Sequence, residues 1–163
     1  MSRSPSGKAR KVDSMADNIE RLEDWAAPLL AKLDAKERRR LARVVATDLR
    51  RAQRERIKAQ KNPDGTRYAP RKSQDQKGAI RRKAMFGKLR TAKYLRVRTS
   101  ANGVEVGFFG RVASIAKTHQ FGLRDRVAIN GPRVQYEQRE LLGFTDHDRT
   151  VLRDSMLDHL NGV

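Results

Sequence analysis

A chain of 163 residues with no cysteine, 37% hydrophobic content and a formal net charge of +18 suffices for one domain with a lean core, and it excludes disulfides, thiolate nucleophiles and cysteine-bound zinc. No window approaches the run of about 20 apolar residues that a membrane span needs, and residues 1–11 hold no apolar signal core, so a soluble protein with no membrane partner is expected. Residues 36–98 hold 23 Lys/Arg against five Asp/Glu while the rest balance at 14 of each, which points to a polyanion or an acidic protein surface as partner and makes a free monomer self-repelling.

Residues 1–13 are small, polar and basic, and a disordered arm is expected there, followed by a single domain over 14–163. Ile19, Leu22, Ala26, Leu29 and Leu33 recur at alternating spacings of three and four, with Trp25 and Leu30 widening the stripe. That period predicts an amphipathic helix, kinked or restarted near 24–28 because Pro28 removes a backbone hydrogen bond. Asp34 and Glu37 have the spacing of a capping box and predict a second helix running to about Gln60. The two helices form a helical hairpin over 14–60. On the second, Leu41, Val44, Val45, Leu49, Ala52 and Ala59 make a narrow apolar face, and Arg39, Arg43, Arg50 and Arg54 fall along another.

A basic loop region over 61–92 follows. It opens on Asn62-Pro63-Asp64-Gly65, four turn-forming residues that stop the helix; residues 66–76 read as loop and 77–86 as a short basic helix limited by Gly78 and Gly87. Leu95 and Val97 alternate with Arg96 and Arg98, and Val104, Val106 and Phe108 alternate on the return, with Asn102-Gly103 in the turn. This is a β-hairpin pattern. Residues 112–120 read as a short helix, and an extended piece at 133–137, after the Asn130-Gly131-Pro132 loop, is expected to pair with the hairpin. A last helix begins at Thr145, capped by Asp148, with Leu152, Met156 and Leu160 on its buried side. The fold class is α+β: an N-terminal helical hairpin, a small antiparallel sheet, a short central helix and a C-terminal helix, the last three within 93–163.

Several segments, in this order, resemble the phage virion morphogenesis family: Asn62-Pro63-Asp64-Gly65-Thr66 with Tyr68-Ala69-Pro70-Arg71, then His119-Gln120-Phe121-Gly122, then Arg139-Glu140-Leu141-Leu142-Gly143-Phe144 before an acidic helix start. Leu22-Glu23-Asp24-Trp25 and the Arg-rich second helix extend the likeness to about 19–160. Where many members carry Pro-Ala-Arg, this chain has Glu137-Gln138-Arg139, keeping the cation without the proline. From the residues themselves, no metal or cofactor is expected; the resemblance implies a small α+β protein with no catalysis, acting late in tail assembly. It implies a position in the virion at the head-proximal end of the tail, after assembly in the bacterial host cytoplasm. Its expected partners are further copies of itself in a ring, a hexamer if it matches tail symmetry, together with tail tube, tail terminator or head-tail connector proteins and packaged DNA passing through the ring.

The basic surface of Arg38, Arg39, Arg43, Arg50, Arg51 and Arg54 has three readings. It is a docking face for acidic neighbours or the lining of a DNA channel, a phosphate-binding face of a non-specific nucleic-acid-binding protein, or a merely solvated face. Aromatic residues for base stacking are not interleaved with it. Asn62, Asp64 and Gly65 read as a turn first and as a loop gripping a neighbour second. His119, Gln120 and Phe121 read as a turn anchor or as a subunit boundary. Arg139, Leu141, Leu142 and Phe144 read as core packing or as a docking knob. Asp146, His147 and Asp148 point different ways at a helix start, so they read as dipole complements and not as metal ligands. No glycine-rich phosphate loop, no nucleophile with a credible partner and no clustered carboxylates near the basic surface point to an enzyme.

Overall fold

The computed structural model describes residues 20–21, 24–71, 84–100 and 103–161. The expected arm at 1–13, Ile19, Leu22, the turn residues Ala101 and Asn102 and most of the expected basic helix lie outside them; the described end of that helix, 84–86, is a bend. Residues 24–30 form α1, helical through Pro28. Its winding closes with Ala31 N–H to Ala27 O at 3.0 Å, then with shorter-range bonds from Lys32 to Leu29 and Leu33 to Leu30. Trp25, placed on the apolar stripe by its spacing, is exposed, whereas Ala26 and Leu33 are buried.

Helix α2, Ala35–Lys58, starts at the expected capping box. Asp34 Oδ1 accepts from the backbone of Lys36 and Glu37 at 2.7 Å each, and Asp34 N–H donates to Glu37 Oε2 at 3.1 Å. Such a cap is worth about 1 kcal/mol. The buried face of α2 overlaps only in part the one its apolar residues outline: Leu41 is buried and Val45, Leu49 and Ala52 are half-buried, but Ala46, Gln53 and Ile57 are buried as well, whereas Val44 and Ala59 are exposed. The reason is packing. The helix contacts α4, Asp146–Asn161, and both strands of the first hairpin, so its covered arc is wide and takes in polar residues that bond to another segment.

Strands β1, Leu95–Ser100, and β2, Gly103–Phe108, pair antiparallel, with Leu95 opposite Phe108, Val97 opposite Val106 and Thr99 opposite Val104. Period-two alternation puts these on one face, and Arg98 opposite Glu105 on the other. Helix α3, Arg111–Phe121, ends at Gly122 in the left-handed region, φ 59°, where an added Cβ would stand 3.0 Å from the Gln138 backbone nitrogen.

The extended piece at 133–137 does not join the first hairpin. Strand β4, Arg133–Gln135, pairs with β3, Arg124–Arg126, and makes a second two-stranded ribbon. The Gly131-Pro132 turn lets the chain fold straight back, with Val127 N–H to Pro132 O at 3.2 Å and Gly131 N–H to Ala128 O at 3.0 Å. Local reversal is entropically cheaper than pairing across a long connection. Helix α4 opens on the expected reciprocal cap, Thr145 N–H to Asp148 Oδ2 at 2.8 Å and Asp148 N–H to Thr145 Oγ1 at 3.0 Å.

The fold is α+β. Its main core gathers Ile57 of α2, Tyr68, Met85, Leu95 and Phe108 of the first hairpin, Ala116 of α3 and Leu141.

Candidate functional site

At about 100° per residue, the outer side of α2 is sorted by charge. Lys36, Arg39, Arg40, Arg43, Arg50, Arg51, Arg54 and Lys58 occupy one broad arc, and Glu37, Asp48 and Glu55 line one edge of it. Arg51 meets Asp48 at 3.6 Å; Arg54 and Lys58 meet Glu55 at 3.6 and 3.7 Å. Among the described residues, no carboxylate pairs with Arg39, Arg40 or Arg43. With eight cations on the arc against three carboxylates at its edge, the ridge stays net positive.

Of the six arginines singled out by sequence, Arg39, Arg43, Arg51 and Arg54 stand exposed on this ridge, and Arg50 is half-buried at its border. Arg38 is exposed but points elsewhere. With Arg39 and Arg43 it lines an apolar groove formed by Leu30, Leu41, Val45, Val104 and Met156.

Two cations turn inward. Arg56, on the packed side of α2, donates to Glu140 O at 2.8 Å, Leu141 O at 3.0 Å and Lys61 O at 3.2 Å, and also to the Gln53 side chain. Gln53 Oε1 in turn accepts from Gly143 N–H at 3.1 Å. Burial pushes the Arg56 pKa down and that of neighbouring Tyr68 up to about 12. Arg139, 5% exposed, donates to Ala69 O at 2.8 Å and Pro70 O at 2.9 Å. A guanidinium fork suits such paired carbonyls as a lysine does not.

The other candidates collect around the same strap, residues 139–144. Asn62 accepts Glu140 N–H at 2.9 Å and donates to Thr66 at 3.0 Å; Asp64 accepts Thr66 N–H at 3.0 Å, and Gly65 supplies φ 84° to the turn. Gln120 exchanges two bonds with the Leu142 backbone, at 2.8 and 2.9 Å. Leu141 is fully buried and Arg139 nearly so, which removes both as surface knobs of the folded chain; Leu142 and Phe144 are partly covered, and Phe121 is 60% exposed. Asn62 and Gly65 also line a groove between α2 and the start of α4.

His119 lies between the rings of Phe86 and Tyr136, at 4.8 and 5.0 Å, and its carbonyl accepts Arg139 N–H at 2.7 Å. Its pKa is lowered, first by burial and then by Arg139 and Arg71. The unfolded chain therefore takes up this proton more readily. The stability that His119 contributes is complete above about pH 6.5 and is lost as pH falls through its folded value. Melting temperature should drop less for His119→Gln than for the wild type between about pH 7 and about pH 5. Equal drops would refute the assignment.

Sequence reasoning missed Arg56, Gln53 and the second ribbon. Only the ribbon left a signal: Arg124-Asp125-Arg126 and Arg133-Val134-Gln135 flank a Gly131-Pro132 turn. Asp148, one of the helix-start acids, is buried and committed to the Thr145 cap, whereas His147 is exposed.

The phage virion morphogenesis family profile matches residues 17–161. The chain is 39% identical to Tail completion protein S of Escherichia phage P2 over 148 residues, covering 88% of this chain and 98% of that protein. No solved structure matches it. With a cationic helix ridge outside and a guanidinium-bound strap inside, this chain belongs to the phage virion morphogenesis family.

Proposed function

We propose that the chain is a non-enzymatic tail completion protein of a phage virion, which assembles as a ring at the head-proximal end of the tail and enables head-tail joining. The single observation that carries the docking role is the α2 ridge, with Arg39, Arg40 and Arg43 unpaired among the described residues. The P2 relative, matched along almost its whole length, supports the tail completion role. A cation ridge of this kind is attracted over long range to acidic faces of tail tube, terminator or connector subunits, and it tolerates DNA passing close by. The strap 139–144 is held mainly by hydrogen bonds from Arg56, Gln53, Asn62, Gln120 and Arg139, an arrangement that fits a structural part better than a reactive site.

Light-scattering mass across concentrations is the first test, and a mass above that of one chain is expected. Labelled protein should be seen by electron microscopy at the tail end that meets the head. A strictly monomeric mass, or label at the distal end, would overturn the proposal. The nucleic-acid reading of the same ridge predicts instead a monomer that binds duplex DNA tightly, with an affinity that falls steeply with salt.

A further inference from the structure

The β3–β4 ribbon is exposed along every residue of both strands. An isolated two-stranded ribbon is marginal in water, and this one carries two further liabilities. Arg126 and Arg133 stand directly opposite each other, with Arg124 on the same side; like charges facing across strands repel. Among the described residues, no carboxylate pairs with any of the three. Asp125, on the other side, is occupied by Thr118, whose hydroxyl donates to it at 3.1 Å.

The ribbon and its base also expose Phe121, Leu123, Val127, Val134 and Ile129, the last at 90%. Apolar side chains clustered in this way mark a surface that another protein covers. Its occupant must offer an apolar contact flanked by carboxylates.

One such surface lies on the chain itself. Helix α4 carries four Asp and two Arg, and with Asp148 buried in the Thr145 cap it still presents three Asp against two Arg. Asp154, Leu157 and Asp158 share its outward side with Asp146, and Leu157 is 38% exposed. Arg153 meets Asp154 at 3.4 Å in an exposed pair, and Arg149 bonds Asp146; weak pairs of this kind are readily exchanged for a neighbour's arginine. The α2 ridge is the poorer candidate for this contact, because Val44 is its one exposed large apolar side chain among the described residues.

We propose that the β3–β4 ribbon of one copy docks on the outward side of α4 of the next, with Val127 and Ile129 against Leu157 and with Arg126 and Arg133 facing Asp154 and Asp158. Ribbon and α4 are different patches of the molecule, so the contact is heterologous, and such contacts close into rings when the rotation permits. The inference rests on the ring reading and names the contact that builds the ring. It leaves the α2 ridge free for other virion parts.

The experiment is light-scattering mass on the full chain at roughly physiological salt, with circular dichroism to confirm folding. Arg126→Glu with Arg133→Glu, and separately Asp154→Lys with Asp158→Lys, should each reduce the oligomer to monomer. All four changes in one chain should restore it, which also shows that neither pair merely unfolds the protein. Ile129→Ser should weaken assembly without changing the charge. An oligomer indifferent to both reversals overturns the ribbon contact and leaves the ring standing, whereas a monomeric wild type removes both. Reversals on the ribbon that abolish duplex binding while the mass stays unchanged overturn the contact and assign the ribbon to nucleic acid.

Discussion

The triple reversal Arg39→Glu, Arg43→Glu, Arg54→Glu is expected to leave the fold intact and to lower the yield of infectious particles by orders of magnitude. All three side chains are exposed on the outer arc of α2, where substitutions move stability by roughly 0.5 kcal/mol or less. Arg39 and Arg43 pair with no carboxylate among the described residues, so no ion pair within that part of the chain depends on their charge. A partner that presents carboxylates or phosphates would meet repulsion in place of attraction, and like-charge contact across an interface costs several kcal/mol (roughly). The measurement is complementation of a phage lacking the wild-type protein, with melting curves as the folding control. The matching Arg→Lys triple should retain most of the yield, since a field effect needs charge more than fork geometry. Normal yield from the Glu triple would remove the ridge from the mechanism.

Arg56→Leu is expected to act in the opposite way, with a large loss of stability and no direct change to the outer surface. Its guanidinium joins α2 to the carbonyls of Lys61, Glu140 and Leu141 and steadies Gln53, which holds Gly143. Removing it strands several partly buried acceptors at once. The cost is about 3 kcal/mol or more, on the scale of charge-assisted hydrogen bonds left unmade. For a chain of this length that corresponds to a fall of roughly 10 °C in melting temperature. Arg56→Lys should recover little, because one ammonium cannot reach divergent carbonyls as a planar fork does. A Lys variant as stable as the wild type would show that charge alone holds the strap.

These two predictions separate roles that look identical in composition. Arg39, Arg43, Arg54 and Arg56 belong to one run of basic helix, yet three face solvent and one is the tie between α2 and the 139–144 strap. Helical spacing places Arg56 away from Arg54 by two residues, or about 200°, on the packed side. It does not reveal that the packed side contains carbonyls to bind. The apolar outline of α2 misled in part for the same reason: Gln53 is buried and accepts a bond from Gly143, while Val44 of the outline is 42% exposed.

Residues 34–37, the alternating 95–108 hairpin, the 112–120 helix and the Thr145 cap were legible because each is settled by bonds between residues a few places apart or by a short period. The segregation of charge into 36–98 was also plain. The pairing of 133–135 with 124–126, the inward turn of Arg56 and Arg139 and the burial of Leu141 were decided only in the folded chain. The bonds that tie the strap to α2 and to residues 62–70 join residues 69 to 90 places apart, and no local pattern encodes which distant carbonyl a guanidinium will find. Side-chain cations carry the same charge in either place. Tertiary packing alone determines whether they meet water, a partner or the protein's own backbone.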